Sequence, residues 1–160
     1  MAMQAASSIQ EQQLVVFRLG SEKYGIDIER VQGIERMQPV TIVPRAPHFV
    51  EGVINLRGQI TPVINLRTRF GFERAEPTKE TRIVVVYMQD QWVGLVVDGV
   101  AGVQRLTSDR VEPPSEFVKS VESEYLRGIA KVEDGLLILL DLDKVLNGYE
   151  AAALEPARRN

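Results

Sequence analysis

The chain carries one pattern of short β-rich runs twice, and that repeat limits its folds more than any other feature. Val15, Phe17 and Leu19 correspond to Val84, Val86 and Met88 at a constant offset. Gly25, Ile26 and Ile28 correspond to Gly94, Leu95 and Val97, and Val31 and Ile34 to Val100 and Val103. Later the offset grows by insertion: Phe49-Val50-Glu51-Gly52 is similar to Tyr125-Leu126-Arg127-Gly128, and Val63-Ile64-Asn65-Leu66 to Leu139-Leu140-Asp141-Leu142. A repeat of this kind is two copies of one supersecondary unit, stacked so that each buries what it cannot bury alone. Each copy has about five short strands punctuated by Gly and Pro, which predicts a small closed barrel per copy. Two lobes side by side leave a groove walled by both copies, a favoured place for binding.

The sharpest local feature is the stretch Gly52-Val-Ile-Asn-Leu-Arg-Gly-Gln-Ile-Thr-Pro-Val-Ile-Asn-Leu-Arg67. Ile54 and Leu56 share one strand face, and Val53, Asn55 and Arg57 the other. Arg57-Gly58 sits where the chain reverses, and Gly58 tolerates the positive φ of a tight turn. Pro62 has no N–H, so the returning strand is either an edge or carries a bulge. An arginine at this tip is read in two ways, as a solvated turn residue or as a directed contact. In the second copy the tip carries Glu133 and Asp134. One positive and one negative tip give the body a polarity suited to docking in a fixed orientation.

The rest of the chain punctuates the same way. Strands are expected at Leu14–Leu19, Tyr24–Ile28, Val31–Met37, Arg82–Met88, Trp92–Val97, Gly102–Leu106, Tyr125–Val132 and Leu136–Leu142. Short helical pieces are expected at Thr68–Phe72, after Ser115 and at Asp143–Asn147, with Gly148 as a cap. Glu73–Thr81 reads as a polar linker. The domain is bounded at 14–148, with copies at about 14–72 and 82–148, one closing strand open to exchange, and flexible tails at 1–12 and 150–160.

Composition excludes much chemistry. There is no cysteine, so disulfides, thiolate nucleophiles and iron–sulfur clusters are out. His48 is the one histidine, which removes multi-histidine metal sites. His48 lies in a Pro-rich loop with no nucleophile motif near it and reads as a loop residue. No phosphate-binding glycine loop, dinucleotide fingerprint or nucleophile elbow is present. The pairs Asp27/Glu29 and Asp141/Asp143 are spaced to share a strand face, where they could do acid–base work or simply face water. A net charge of −3, with no aromatic alternating among Arg18, Arg57 and Arg67, argues against nucleic acid. The first eight residues lack a basic and an apolar region, and an apolar run such as Leu136–Leu140 is far short of a membrane span. The residues thus predict a cytoplasmic, non-enzymatic binding or adaptor module without cofactor, metal or membrane insertion.

Four segments carry a family resemblance: Tyr24-Gly25-Ile26-Asp27-Ile28, Gly52-Val53-Ile54-Asn55-Leu56-Arg57-Gly58, Pro62-Val63-Ile64-Asn65-Leu66-Arg67 and Gly94-Leu95-Val96-Val97-Asp98-Gly99-Val100. In this order, from about Leu14 to Gly148, the chain resembles CheW, the bacterial chemotaxis coupling proteins. The same domain ends the histidine kinase CheA, but kinase catalytic and phosphotransfer segments are absent here, so the resemblance is to the free-standing adaptor. It implies an all-β fold of two SH3-like five-stranded β-barrels around a shared core, with short helices at the connections and the C-terminus. It implies coupling of transmembrane chemoreceptors to the regulatory domain of CheA, within membrane-associated receptor arrays. By matched position, Gly52, Asn55, Arg57, Gly94, Val100 and Val103 would line or support the site for the receptor's helical cytoplasmic tip. Val31, Ile34 and Glu35 would face the kinase, and Phe117 would contact a neighbouring kinase domain. Two positions depart from the family pattern. Gly33 stands where a glutamate is common, which removes a carboxylate from the kinase-facing strand. Asn65 stands where aspartate is usual, which removes a charge near Arg67.

Overall fold

The computed structural model describes residues 9–114, 125–133 and 135–146. Alternating apolar residues build eleven strands there: β1 (Glu11–Leu19), β2 (Glu22–Asp27), β3 (Val31–Arg36), β4 (Val50–Leu56), β5 (Gln59–Asn65), β6 (Arg82–Met88), β7 (Gln91–Val97), β8 (Gly99–Thr107), β9 (Val111–Glu112), β10 (Leu126–Val132) and β11 (Gly135–Leu140). One-turn helices, Leu66–Arg69 and Leu142–Val145, follow β5 and β11. They start earlier than the sequence reading placed them. The side chains of Asn65 and Asp141 act as N-caps, accepting the N–H of Thr68 and of Asp143 respectively. Gly148 and Ser115, read as caps, lie outside the described residues, as do most of the two tails.

The strands form a six-stranded sheet in the order β8-β1-β2-β11-β10-β9 and a five-stranded sheet in the order β3-β6-β7-β5-β4. Each is antiparallel except for one parallel pair, β2 with β11 and β5 with β7. Each sheet draws on both copies of the repeat. The leading hairpin of the first copy, β1–β2, sits in the sheet of β8 to β11, and the leading hairpin of the second, β6–β7, sits in the sheet of β3 to β5. Under the repeat, β8-β1-β2-β11-β10 is the image of β3-β6-β7-β5-β4.

The two closed barrels are not found. Among the described residues neither sheet closes: β8 and β9 end one ladder, and β3 and β4 end the other. Closing the five-stranded sheet would need β3 to pair with β4. Between them the chain passes Pro39, Pro44 and Pro47, which have no N–H to give a ladder. Only an isolated bridge, Thr41 with Val53, runs along the outer side of β4. In the other sheet β9 is two residues long and is followed by Pro113 and Pro114.

Pro62, expected on an edge or at a bulge of its own strand, lies in β5, which has neighbours on both sides. It is tolerated because its partner across the ladder is Val53, whose N–H and carbonyl both bond to Thr41 on the far side. The pair is therefore a non-bonded one, so β4 asks no N–H of Pro62, and on the other side the ladder to β7 starts only at Val63. The β4 register does shift between Val50 and Gly52.

The shared core lies between the sheets. It includes Phe17, Tyr24, Ile64, Leu66, Val84, Val86, Leu95, Ile138 and Leu140, all buried. Phe17 stacks on Tyr24 with ring centroids 5.8 Å apart, and Phe70 on Tyr125 at 5.4 Å. A smaller cluster fills each outer side: Leu14, Val16, Leu106, Leu137 and Leu139 in one lobe, Ile54, Val63, Ile83 and Val85 in the other. This two-sided burial explains why β6 and β11 read as continuous apolar runs rather than alternating ones.

Candidate functional site

The β4–β5 hairpin presents its tip through a turn of two left-handed residues, Arg57 at φ 52° and Gly58 at φ 86°. Such a pair is the turn that matches the twist of its flanking strands. Asn55 braces it: its Oδ1 accepts the Gly58 N–H at 2.8 Å. Arg57 is left with its side chain 72% exposed. It reaches across to the opposite edge strand, where Nη2 lies 3.3 Å from Oε2 of Glu35.

That contact joins two groups which the sequence reading kept apart, since Arg57 belongs to the receptor set and Glu35 to the kinase set. Gly33 leaves β3 without a carboxylate at its own position, and Glu35 supplies one two residues on. No periodicity signals such a pair, because β3 and β4 lie at opposite ends of the strand order.

The remaining positions differ in what they can offer. Gly52 is buried, with φ 146°, and a Cβ there would collide with the Thr41 carbonyl. Gly94 is buried in β7, where a Cβ would come within 2.7 Å of Ile83 Cγ2. Both shape the backbone rather than offer a surface. Val100 and Val31 pack partly against the shared core. Val103 is 59% exposed on β8 and Ile34 44% exposed on β3, so these two present apolar surface. Phe117 lies outside the described residues.

Val103 borders a groove of about 290 Å³ that also touches Val16, Lys23, Val132 and Leu137. Its walls come from both copies of the repeat, yet all its strands belong to one sheet, because the leading hairpin has crossed over.

The carboxylates weighed for chemistry serve the fold. Asp27 ends β2 and caps the 3-10 turn Ile28–Arg30 by accepting the Glu29 N–H at 3.0 Å. Asp141 caps the last helix, and Asp143 pairs with Arg30 at 2.8 Å. His48 is exposed, edge-on to Phe49. Among the described residues no group of three or more metal-ligating side chains comes together.

Asp98, between β7 and β8, is a junction. It accepts Arg67 Nε at 2.9 Å and Nη2 at 2.7 Å, and the Gly20 N–H at 2.7 Å. Burial pushes its carboxyl up, but Arg67 and the Gly20 amide outweigh burial and hold it below the ordinary value. Beside it, Arg74 holds Glu51 low against the opposing effect of burial, helped by Asn65. Asn65 Nδ2 lies 3.2 Å from Glu51 Oε1, so the charge absent at position 65 is met by carboxylates on neighbouring elements.

Residues 13–150 match the family model described as the CheW-like domain. The chain belongs to that family. Over 144 residues it is 39% identical to the chemotaxis protein CheW of Klebsiella aerogenes, covering 90% of this chain and 87% of that one. It is 34% identical over 145 residues to the chemotaxis protein CheW of Bacillus subtilis, covering 91% and 93%. Among solved structures it is similar to the scaffolding protein TtCheW from Thermoanaerobacter tengcongensis, at 38% identity and a TM-score of 0.81, covering 88% of this chain and 97% of that one. As a CheW-like protein the chain is a non-catalytic adaptor in chemotaxis signalling. Among the described residues no helix is long and apolar enough to cross a membrane.

Proposed function

We propose that this CheW-like protein couples methyl-accepting chemoreceptors to the histidine kinase CheA and supports receptor control of kinase activity in membrane-associated arrays. The observation that carries this reading is the family match along residues 13–150. In this reading the receptor's helical tip docks on the surface supported by Gly52, Asn55, Arg57, Gly94, Val100 and Val103. The regulatory domain of CheA meets the edge strand at Val31, Ile34 and Glu35, and Phe117 meets a neighbouring kinase domain. An amphipathic helix laid on apolar surface gains affinity from burial, and Arg57 adds a directed bond at the rim.

The adaptor does no chemistry. It holds receptor and kinase together so that a bias in one becomes a population shift in the other. Weak contacts suffice, because each raises the effective concentration for the next. The Arg57–Glu35 contact supports the coupling, since a partner that recruits Arg57 competes directly with a residue on the kinase-facing strand.

The test combines the protein with the CheA regulatory region and a receptor cytoplasmic fragment, singly and together, while kinase phosphorylation is followed. Binding to each partner, with kinase output changing only in the three-part mixture, is the expected outcome. Binding to neither folded partner would end the proposal.

A further inference from the structure

Each copy of the repeat ends in a one-turn helix that is clamped to elements of the other sheet. Arg67, in the helix after β5, pairs two-pronged with Asp98, which also takes the Gly20 N–H from the β1–β2 turn. Asp143, in the helix after β11, takes Arg30 Nη2 at 2.8 Å. Gln89, from the β6–β7 turn, donates to the carbonyls of Asp143 at 2.8 Å and Leu146 at 3.0 Å.

The two clamps stand at corresponding places in the repeat. Gly20 corresponds to Gln89 and Arg67 to Asp143. Asp98 and Arg30 both stand where the chain leaves one sheet for the other, from β7 to β8 and from β2 to β3. The Arg18 carbonyl accepts the Asp98 N–H at 3.0 Å, and its counterpart, the Tyr87 carbonyl, accepts Arg30 Nε at 2.8 Å. The helix carries the cation in one clamp and the anion in the other, and the crossing residue is displaced by one, since the offset matches Asp98 to Glu29 and not to Arg30.

The clamps are unequal in strength. Arg67 and Asp98 have side chains 22% and 26% exposed, so parting them leaves two half-buried charges no longer neutralised, Asp98 with the Gly20 N–H alone and Arg67 with the Glu73 carbonyl. Arg30 and Asp143 are 32% and 61% exposed, and water can replace that ion pair and the exposed Gln89 bond to the Asp143 carbonyl. We propose that the Arg30–Asp143–Gln89 clamp is a built-in release point. There the turn Ile28–Arg30 and the start of β3 part reversibly from the helix Leu142–Val145, while the Arg67–Asp98 clamp stays closed. The motion loosens β3, the edge strand of its sheet. It belongs to the free chain and does not depend on which partners bind.

Amide hydrogen exchange on the full chain tests it. Val31, bonded to the Ile28 carbonyl, and Lys144, bonded to that of Asp141, report the release point. Asp98, and Phe70 bonded to the Leu66 carbonyl, report the other clamp. After correction for intrinsic rates, Val31 and Lys144 should exchange at least about tenfold faster than Asp98 and Phe70. Arg30→Ala should speed the first pair by about a further two- to fivefold and leave the second pair unchanged. The double exchange Arg30→Asp with Asp143→Arg should restore the ion pair's share of the protection but not that of the Arg30–Tyr87 bond, and Gln89→Ala should act on Lys144 alone among the four. Equal exchange of all four amides in the unaltered protein overturns the proposal. So does an Arg30→Ala effect spread evenly over both pairs.

Discussion

Arg57 holds a backbone conformation that costs an L-residue about 1 kcal/mol or more relative to glycine. Its contact with Glu35 is largely exposed and returns at most about 1 kcal/mol. Stability alone would therefore place glycine here. Arg57→Gly should melt at or slightly above the unaltered protein and still lose binding to a receptor fragment; calorimetry with a binding titration checks both halves. Retained binding would make Arg57 a turn residue and nothing more. Gly52 and Gly94 behave in the opposite way. Gly52→Ala forces a side chain into the Thr41 carbonyl at positive φ, and Gly94→Ala overpacks Ile83. Each should destabilise by about 1–3 kcal/mol in urea titrations, so their loss of function would come through the fold. Sensitivity to substitution at either glycine therefore does not by itself mark a receptor contact.

The elements that hold the sheets in place are the short ones, and charge fixes them. Asp98 sits at the crossing from β7 to β8 with its carboxyl held below the ordinary 3.8. A depressed folded value means that the anion stabilises the fold above the unfolded value. That stability is whole near neutral pH and is lost as pH falls through 3.8 toward the lower folded value. Asp98→Asn should lower the midpoint at neutral pH and flatten the curve below about pH 5. Glu51→Gln should change the acid limb in the same direction, since Arg74 holds Glu51 low. Thermal melts from acid to neutral pH would show it, and an unchanged acid limb in Asp98→Asn would remove the junction's role. Neither effect is visible in the linear sequence. Arg67 and Asp98 lie on different elements, and an Asp-Gly pair after a β-branched run reads as a turn whether or not an arginine waits across the gap.

For the whole molecule, the crossing of the leading hairpins decides how the chain can come apart. Each sheet needs strands from both sides of the exposed linker 73–80. Cutting that linker, or expressing 1–76 and 77–160 as separate pieces, should yield one joined species by size exclusion, and each piece alone should lack a dispersed amide spectrum. A half that folds by itself would contradict this. The copies, their strands and the Arg57-Gly58 turn were legible because period-two burial and turn chemistry are local. The exchange was not, because β1 buries the same residues whichever sheet receives it. Closure was misjudged for a related reason: five strands per copy suit a barrel until Pro39, Pro44 and Pro47 are placed between the two edges that would have to meet. The exchange also bears on ancestry. A chain with one copy could complete its sheet only by lending its hairpin to a twin and borrowing the twin's in return. A gene duplication that tied two such twins tail to head would yield this topology, with the linker as its seam. The exchanged signs at Arg67 and Asp143 are then drift that became possible once the twins no longer had to be identical.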